Sequence, residues 1–251
     1  MQAKLSLKGI CAVNPHPLIS KTSQGGKHVT LKTTPNAGRV SGHNVDRLDE
    51  IEIVVPLSGK AQDSILEVLE VARRLGYLLT FLIGKHTTVQ PYRCVAIDQS
   101  GKEREVLPLE LMVKVGPSSN LLDVDLSARK MDQLLFSPDG EMRPVTRQLN
   151  HYFEACQPQL IDQILGFYKV LEVEEPGEAT KEERTLRNLF SHSKLDEHQT
   201  APAAREYFGS EDVLNADRSK IEAARDELET HARRIISKKL AICWEPLKFY
   251  K

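Results

Sequence analysis

Apolar side chains return at three- and four-residue steps through the second half of the chain. Leu160, Ile161, Ile164, Leu165, Tyr168 and Leu171 form one such face within Pro158–Glu172, and the period predicts an amphipathic helix there. Ile221, Ala224, Leu228 and Ile235 form another, predicting a long helix from about Ser210 to Leu240. The acid-rich stretch Glu172–Glu183 reads as a helix end, a loop and a new helix start, so that Leu186–His192 lies on a third helix. A further helix starts near Pro144 and includes Leu149, Tyr152 and Phe153.

The first half has a different texture. Leu5–Val13, Lys27–Thr33, Ile51–Val55, Leu78–Ile83, Tyr92–Ile97 and Glu105–Val115 read as strands by β-branched content or alternation. Turn-forming runs at Gln24-Gly25-Gly26, Pro35-Asn36-Ala37-Gly38 and Gln99-Ser100-Gly101 separate them. Ile65, Leu66, Leu69, Ala72 and Leu75 predict one amphipathic helix among the strands. Pro117-Ser118-Ser119, Ser137-Pro138-Asp139-Gly140 and Arg143-Pro144 break any regular period and mark the join. The expected fold class is therefore α+β, with a β-rich domain over residues 1–143, a curved sheet carrying a helix on one face, and an all-α bundle over residues 144–251. No internal repeat is visible.

Composition narrows the partners. With 34 Lys and Arg against 35 Asp and Glu, the 251-residue chain has a formal net charge of −1, which excludes the pervasive basic character of a protein that coats nucleic acid. A local exception precedes Asp46, where Lys4, Lys8, Lys21, Lys27, Lys32 and Arg39 occur with no acidic residue. That run is either a phosphate-contacting face or a solvated sheet surface, and no aromatic is interleaved for base stacking. Cys11, Cys94, Cys156 and Cys243 form no CxxC pair, which argues against zinc knuckles and fits a reducing, cytoplasmic setting. The first eight residues lack the apolar core of a signal peptide, and the longest apolar stretch, Tyr77–Gly84, is too short to span a bilayer, so no membrane association is expected.

Chemistry concentrates at Arg187, Asn188 and His192. Arginine can grip phosphate oxygens with two parallel donors, and histidine titrates near neutrality and can move the proton of a ribose hydroxyl. Those are the groups that metal-free RNA cleavage requires. The spacing occurs twice, the second copy being Arg225-Asp226 through His231. His231 lies beside the buried stripe of the long helix and reads as a hydrogen-bonded core residue, whereas His192 runs into Ser193, Lys194 and Asp196, a polar helix terminus. At about 100° per residue, Arg184, Asn188 and His192 share a stripe while Arg187 stands about 140° from His192. Either the helix ends before His192, or the long arginine reaches around, or the two groups meet across a two-fold dimer interface. The plain alternative is that Arg187 faces solvent or pairs with Glu183 one turn back, and that His192 caps the helix. Elsewhere the signals are weak. Ser23–Lys27 lacks the leading glycine and the Ser/Thr of a phosphate loop. Asp123 and Asp125 read as a solvent face, and Asp196-Glu197-His198 as three loop residues rather than a metal site.

A helix ending in Phe167-Tyr168-Lys169-Val170-Leu171-Glu172, a helix carrying Leu186-Arg187-Asn188-Leu189-Phe190-Ser191-His192, and a long closing helix together resemble the HEPN family, the higher-eukaryote and prokaryote nucleotide-binding helical bundles. The resemblance covers about residues 145–251, and its Arg–polar–His motif falls on Arg187, Asn188 and His192. The same half is similar to chains labelled methylamine-utilisation protein MauJ, a label that supplies no reaction. The HEPN resemblance implies a metal-independent endoribonuclease working as a homodimer, with no cofactor, that leaves 2′,3′-cyclic phosphate ends, in a toxin or antiviral-defence setting. It also implies that some members are inactive RNA-binding or assembly modules. In the catalytic case His192 moves the proton, Arg187 holds the scissile phosphate, Asn188 orients one or the other, and Arg184 and Lys194 supply further RNA contacts. The β-rich domain would then receive a regulatory protein or ligand.

Overall fold

Strand β4 (His43–Val54) is the backbone of the sheet, pairing antiparallel along one edge with β3 (His28–Val40). Its other edge is shared end to end: β1 (Gln2–Leu5) pairs with Ile51–Val54, and β2 (Ile10–Ala12) with Asp46–Leu48. Outward from β1 lie β5 (Arg93–Ile97) and then β6 (Glu103–Leu107), and β7 (Asn120–Leu122) lies parallel to β2. The structure, a computed structural model, describes residues 2–5, 10–12, 26–40, 43–56, 61–84, 86, 89, 93–97, 103–107, 120–122, 128–136, 138–156, 159–174, 177–191, 202, 205–206 and 217–242. The chain is α+β and rich in helix. It forms two compact units, one drawn from residues 1–146 and 240–251, the other from Arg147–Lys239.

In the first unit, period-two alternation sets the sheet face. Ile51, Ile53 and Val55 are buried while Glu52 and Val54 between them are half-buried, and Val29, directly opposite Ile53, is buried too. Helix α1 (Ala61–Ile83) packs against β4 and against α2 (Ala128–Phe136), to which Arg74 Nη1 donates at the Leu135 carbonyl, 2.9 Å away. Three expectations change here, the first being that Pro35–Gly38 lies inside β3, where the register with β4 shifts between Thr34 and Gly38, and is not a turn between strands. Leu78–Ile83 is the last part of α1 and not a strand. From Leu75 to Leu82 every position is buried, so the helix loses its polar stripe and shows, with Thr80 the one polar interruption, the largely apolar run that a buried strand also shows. The stretch between Pro117 and Pro144 is not without period either, since it holds α2, whose Met131, Leu134 and Leu135 are buried at helical spacing. At 9 residues α2 is too short for its period to stand out. Lys27, from the basic run, forms an ion pair with Glu67 of α1, which leaves this lysine structurally engaged. Among the described residues no helix is long and apolar enough to cross a membrane.

The second unit contains the part of α3 (Met142–Ala155) from Arg147 on, α4 (Leu160–Leu171), α5 (Lys181–Ser191) and α6 (Arg218–Leu240 up to Lys239). Residues 210–216 of the expected long helix lie outside the described residues. Helix α4 meets α3 at a glycine. A Cβ on Gly166 would stand 2.6 Å from the Ala155 Cβ and 2.8 Å from its Cα, so only glycine permits this approach. Beside it the rings of Phe167 and Tyr152 are tilted at 50° with centroids 5.3 Å apart, and Gln148 Nε2 donates to the Val170 carbonyl at 3.2 Å.

A buried polar network ties α3 to α6. The fully buried Tyr152 hydroxyl donates to Glu229 Oε1 at 2.6 Å and accepts from Arg233 Nε at 2.7 Å. Arg233 also reaches Glu229 Oε1 at 3.1 Å and lies 5.2 Å over the Tyr152 ring, while Arg225 binds Glu229 Oε2 at 3.2 Å. Burial holds the Tyr152 hydroxyl well above the ordinary phenol range, and it pushes the nearby Cys156 thiol, with help from the Glu229 charge, up to about 12. Cys156 is thus a protonated packing residue at neutral pH.

Glu229→Gln should therefore remove the one carboxylate that Arg233 and Tyr152 share, with an expected loss of ~3 kcal/mol in urea denaturation, the low end for a broken buried pair. Tyr152→Phe, which leaves the ion pair in place, should cost about 1–2 kcal/mol. Gly166→Ala should cost ~1–3 kcal/mol by overpacking, read as a lowered urea midpoint, and the loss should shrink when Ala155→Gly is added.

Candidate functional site

Helix α5 begins with a reciprocal cap. Thr180 Oγ1 accepts from the Glu183 backbone N–H at 3.2 Å, and Glu183 Oε2 accepts from the Thr180 N–H at 2.7 Å. Thr180-x-x-Glu183 is the sequence pattern of a capping box, legible in advance as the start of this helix. Leu186, Leu189 and Phe190 are buried and pack the helix against its neighbours, with α4 the principal one. Of the remaining positions, Lys181, Arg184, Asn188 and Ser191 are exposed, while Glu183 and Arg187 are half-buried.

Arg187 is held from two sides. Its Nη1 donates to the Asn188 side-chain oxygen at 3.0 Å, and its guanidinium carbon lies 5.9 Å from the centroid of the Tyr168 ring on α4. The Tyr168 hydroxyl, in turn, donates to Glu172 Oε1 at 2.8 Å. Burial and the adjacent Glu172 carboxylate push this hydroxyl up to about 12, against the opposing pull of Arg187 and Arg184. The result is a neutral phenol beneath a fixed cation.

The Arg187–Tyr168 pair borders a groove of about 390 Å³, whose polar lining includes Glu154, Asp162, Lys169 and Glu172, with Ser191 at the α5 side. A second depression of about 400 Å³ is lined by Glu172, Glu174, Gly177, Ala179 and Arg184. Among the described lining residues carboxylates outnumber cations in both. Arg187 and Lys169 can take an anionic group, and the acids around them restrict it to one that is small or locally presented. Among the described residues no group of three or more His, Cys, Asp and Glu side chains is placed to hold a metal ion.

The sequence-derived residues thus divide. Arg187 and Asn188 are adjacent and hydrogen-bonded, and Arg184 is exposed one turn before Asn188, at the neighbouring depression. His192 and Lys194 lie outside the described residues, as do Asp123, Asp125, Asp196, Glu197 and His198. The pairing of Arg187 with Glu183 is not the arrangement found. Glu183 serves the cap and accepts from His231 Nδ1 at 2.8 Å. His231 is accordingly a hydrogen-bonded, half-buried residue, and Arg225 of the same second copy is taken up by Glu229 and Asp226. Sequence reasoning missed Tyr168 as a platform, since a tyrosine on an apolar face reads simply as core. It also missed Glu183 as a joint between helices.

Compared with protein-family models, curated proteins and solved structures, the chain has no significant match in any of the three.

Replacing Tyr168 by Phe removes the donor to Glu172 and keeps the ring under Arg187, with an expected cost of ~1 kcal/mol at neutral pH. Its folded pKa of about 12 exceeds its ordinary value of 10.0, so the folded chain holds this proton more tightly than the unfolded one. The Tyr168 contribution to stability is fully present below pH 10.0 and is lost as pH rises toward 12. A urea titration across that range should show a smaller alkaline loss for Tyr168→Phe than for the wild type.

Proposed function

We propose that the second unit is a HEPN-type RNA-binding module that cleaves RNA as a homodimer without a metal, leaving 2′,3′-cyclic phosphate and 5′-hydroxyl ends. The observation that carries this reading is Arg187, fixed over the Tyr168 ring and hydrogen-bonded to Asn188 at the border of an open groove. A guanidinium restrained in this way loses little side-chain freedom on meeting a phosphate, which favours it for transition-state charge stabilisation. Arg187 holds the scissile phosphate, His192 takes the 2′-hydroxyl proton or returns one to the leaving 5′-oxygen, and Asn188 sets the guanidinium in place. A second copy of the chain supplies the other histidine. Arg184 and Lys194 extend the contact along the RNA. The setting on this reading is a toxin or defence effector in the cytoplasm, with the β-rich unit receiving a regulator.

A second reading is favoured by one specific feature. Glu154, Asp162 and Glu172 line the same groove as Arg187, and three carboxylates repel a polyanion. On that reading the module binds a protein segment of mixed charge and performs no chemistry.

Incubation of purified protein with labelled structured and unstructured RNA in excess EDTA separates the two. Wild type should produce cyclic-phosphate ends, and Arg187→Ala and His192→Ala should each lower the rate by at least about a hundredfold. Equal cleavage by all three proteins identifies a contaminating nuclease. Intact RNA with every folded protein transfers the assignment to the interaction module.

A further inference from the structure

Glu183 makes a contact that neither the cap nor the groove requires. Its carboxylate is divided between two helices: Oε2 accepts from the Thr180 N–H at the start of α5, and Oε1 faces His231 Nδ1 of α6 at 2.8 Å. A carboxylate only accepts, so Nδ1 carries the hydrogen, and the imidazole donates. The side chains are 13% and 21% exposed, for Glu183 and His231 respectively, so water competes poorly for the bond. One turn further along α5 stand Arg187 and Asn188.

Helix α5 needs such a tie. It is 11 residues long and buries three apolar side chains, Leu186, Leu189 and Phe190, which leaves rotation about its axis and sliding along it weakly opposed by packing alone. A hydrogen bond from α6 at its first turn opposes both motions. Because Glu183 is also the cap, the same carboxylate fixes where the helix starts and how it is turned. Arg187 is then brought over Tyr168 without any direct contact to His231.

We propose that His231 is a positioning residue for the Arg187–Asn188 pair, acting through the shared carboxylate of Glu183. The functional half of this statement rests on the RNA-binding reading of α5, and the mechanical half stands without it. The second copy of the Arg–polar–His spacing, ending at His231, thereby serves the first copy in place of duplicating it.

Hydrogen exchange of the full-length protein tests the mechanical half. His231→Ala should speed exchange of the α5 amides from Arg184 to Ser191 by about tenfold or more, with α3 and α4 unchanged, as expected for one lost charge-assisted bond. His231→Asn should restore wild-type rates, because its amide nitrogen falls near the position of Nδ1. Unchanged α5 exchange in His231→Ala, equal loosening of α3 and α4, or failure of His231→Asn to rescue would overturn the proposal. Glu183→Gln, which leaves α6 intact and still accepts from Thr180, should loosen α5 to a lesser degree, and it decides the matter if His231→Ala does not fold. Retention of a labelled single-stranded RNA by the same proteins tests the functional half. Loose α5 with weaker RNA retention in His231→Ala, rescued by His231→Asn, is the expected result, and loose α5 with undiminished retention sinks the positioning role. If the wild type retains no RNA, the RNA reading of α5 fails by itself, and the exchange data alone decide the tie between the helices.

Discussion

The helical unit depends on one half-buried carboxylate. Glu229 accepts from Tyr152 and Arg233 at one oxygen and from Arg225 at the other, and Tyr152 is among the largest fully buried side chains of the described residues. A charged arginine under an apolar ring is tolerated only where its charge and its donors are met, and here a phenol, a carboxylate and a π face meet them together. The arrangement fixes the rotation of α6 against α3, because turning either helix by one residue would bury an unpaired charge. Apolar packing alone would not set that rotation so narrowly, since leucines and isoleucines interchange at modest cost.

With α6 fixed by Glu229, its other faces become places to fasten neighbours. His231 takes α5 through Glu183, and Lys239 pairs with Glu174 just beyond the end of α4. Gly166 brings α4 onto α3 at a separation that no other residue permits. Tyr168 of α4 then lies beneath Arg187 of α5, so the position of that guanidinium is the last link of a chain of contacts that begins at Tyr152 and Glu229. Apart from the close approach at Gly166, the links are polar and directional, which is how four helices orient a single cation.

The sequence made the helices of this unit legible because each has a polar side. Leu160–Leu171 and the repeating apolar stripe of α6 follow from period alone, and the start of α5 is written in Thr180 and Glu183. In the first unit the period fails where burial is complete. Leu75–Leu82 is buried on all sides and imitates a strand, and α2 is too short for its four buried residues to outweigh the prolines around it. Pairings such as Val29 with Ile53, or the tandem use of one β4 edge by β1 and β2, depend on contacts between residues far apart in the chain, which local pattern does not encode. At the candidate site the residue types were readable, and their partners were not. Glu183 stands four residues before Arg187, the distance of a helical ion pair, yet a histidine 48 residues away claims it.

Charge at the groove bears on what kind of RNA contact the proposed reading allows. A protein that follows a nucleic-acid backbone does so with a row of cations, and each phosphate neutralised adds to the salt dependence of binding. Among the described residues of this groove the cations are Lys169 and Arg187, and Glu154, Asp162 and Glu172 interrupt them. The same carboxylates that repel an extended polyanion leave a single phosphate, brought to Arg187 by bases held elsewhere, facing an oriented guanidinium with Asn188 beside it. Binding of that form places the energy at one phosphate instead of spreading it along many. It suits a protein that acts at one bond of a chosen RNA and is poorly suited to one that coats any RNA it meets, which is the division that the near-neutral formal charge of −1 marks for the whole chain.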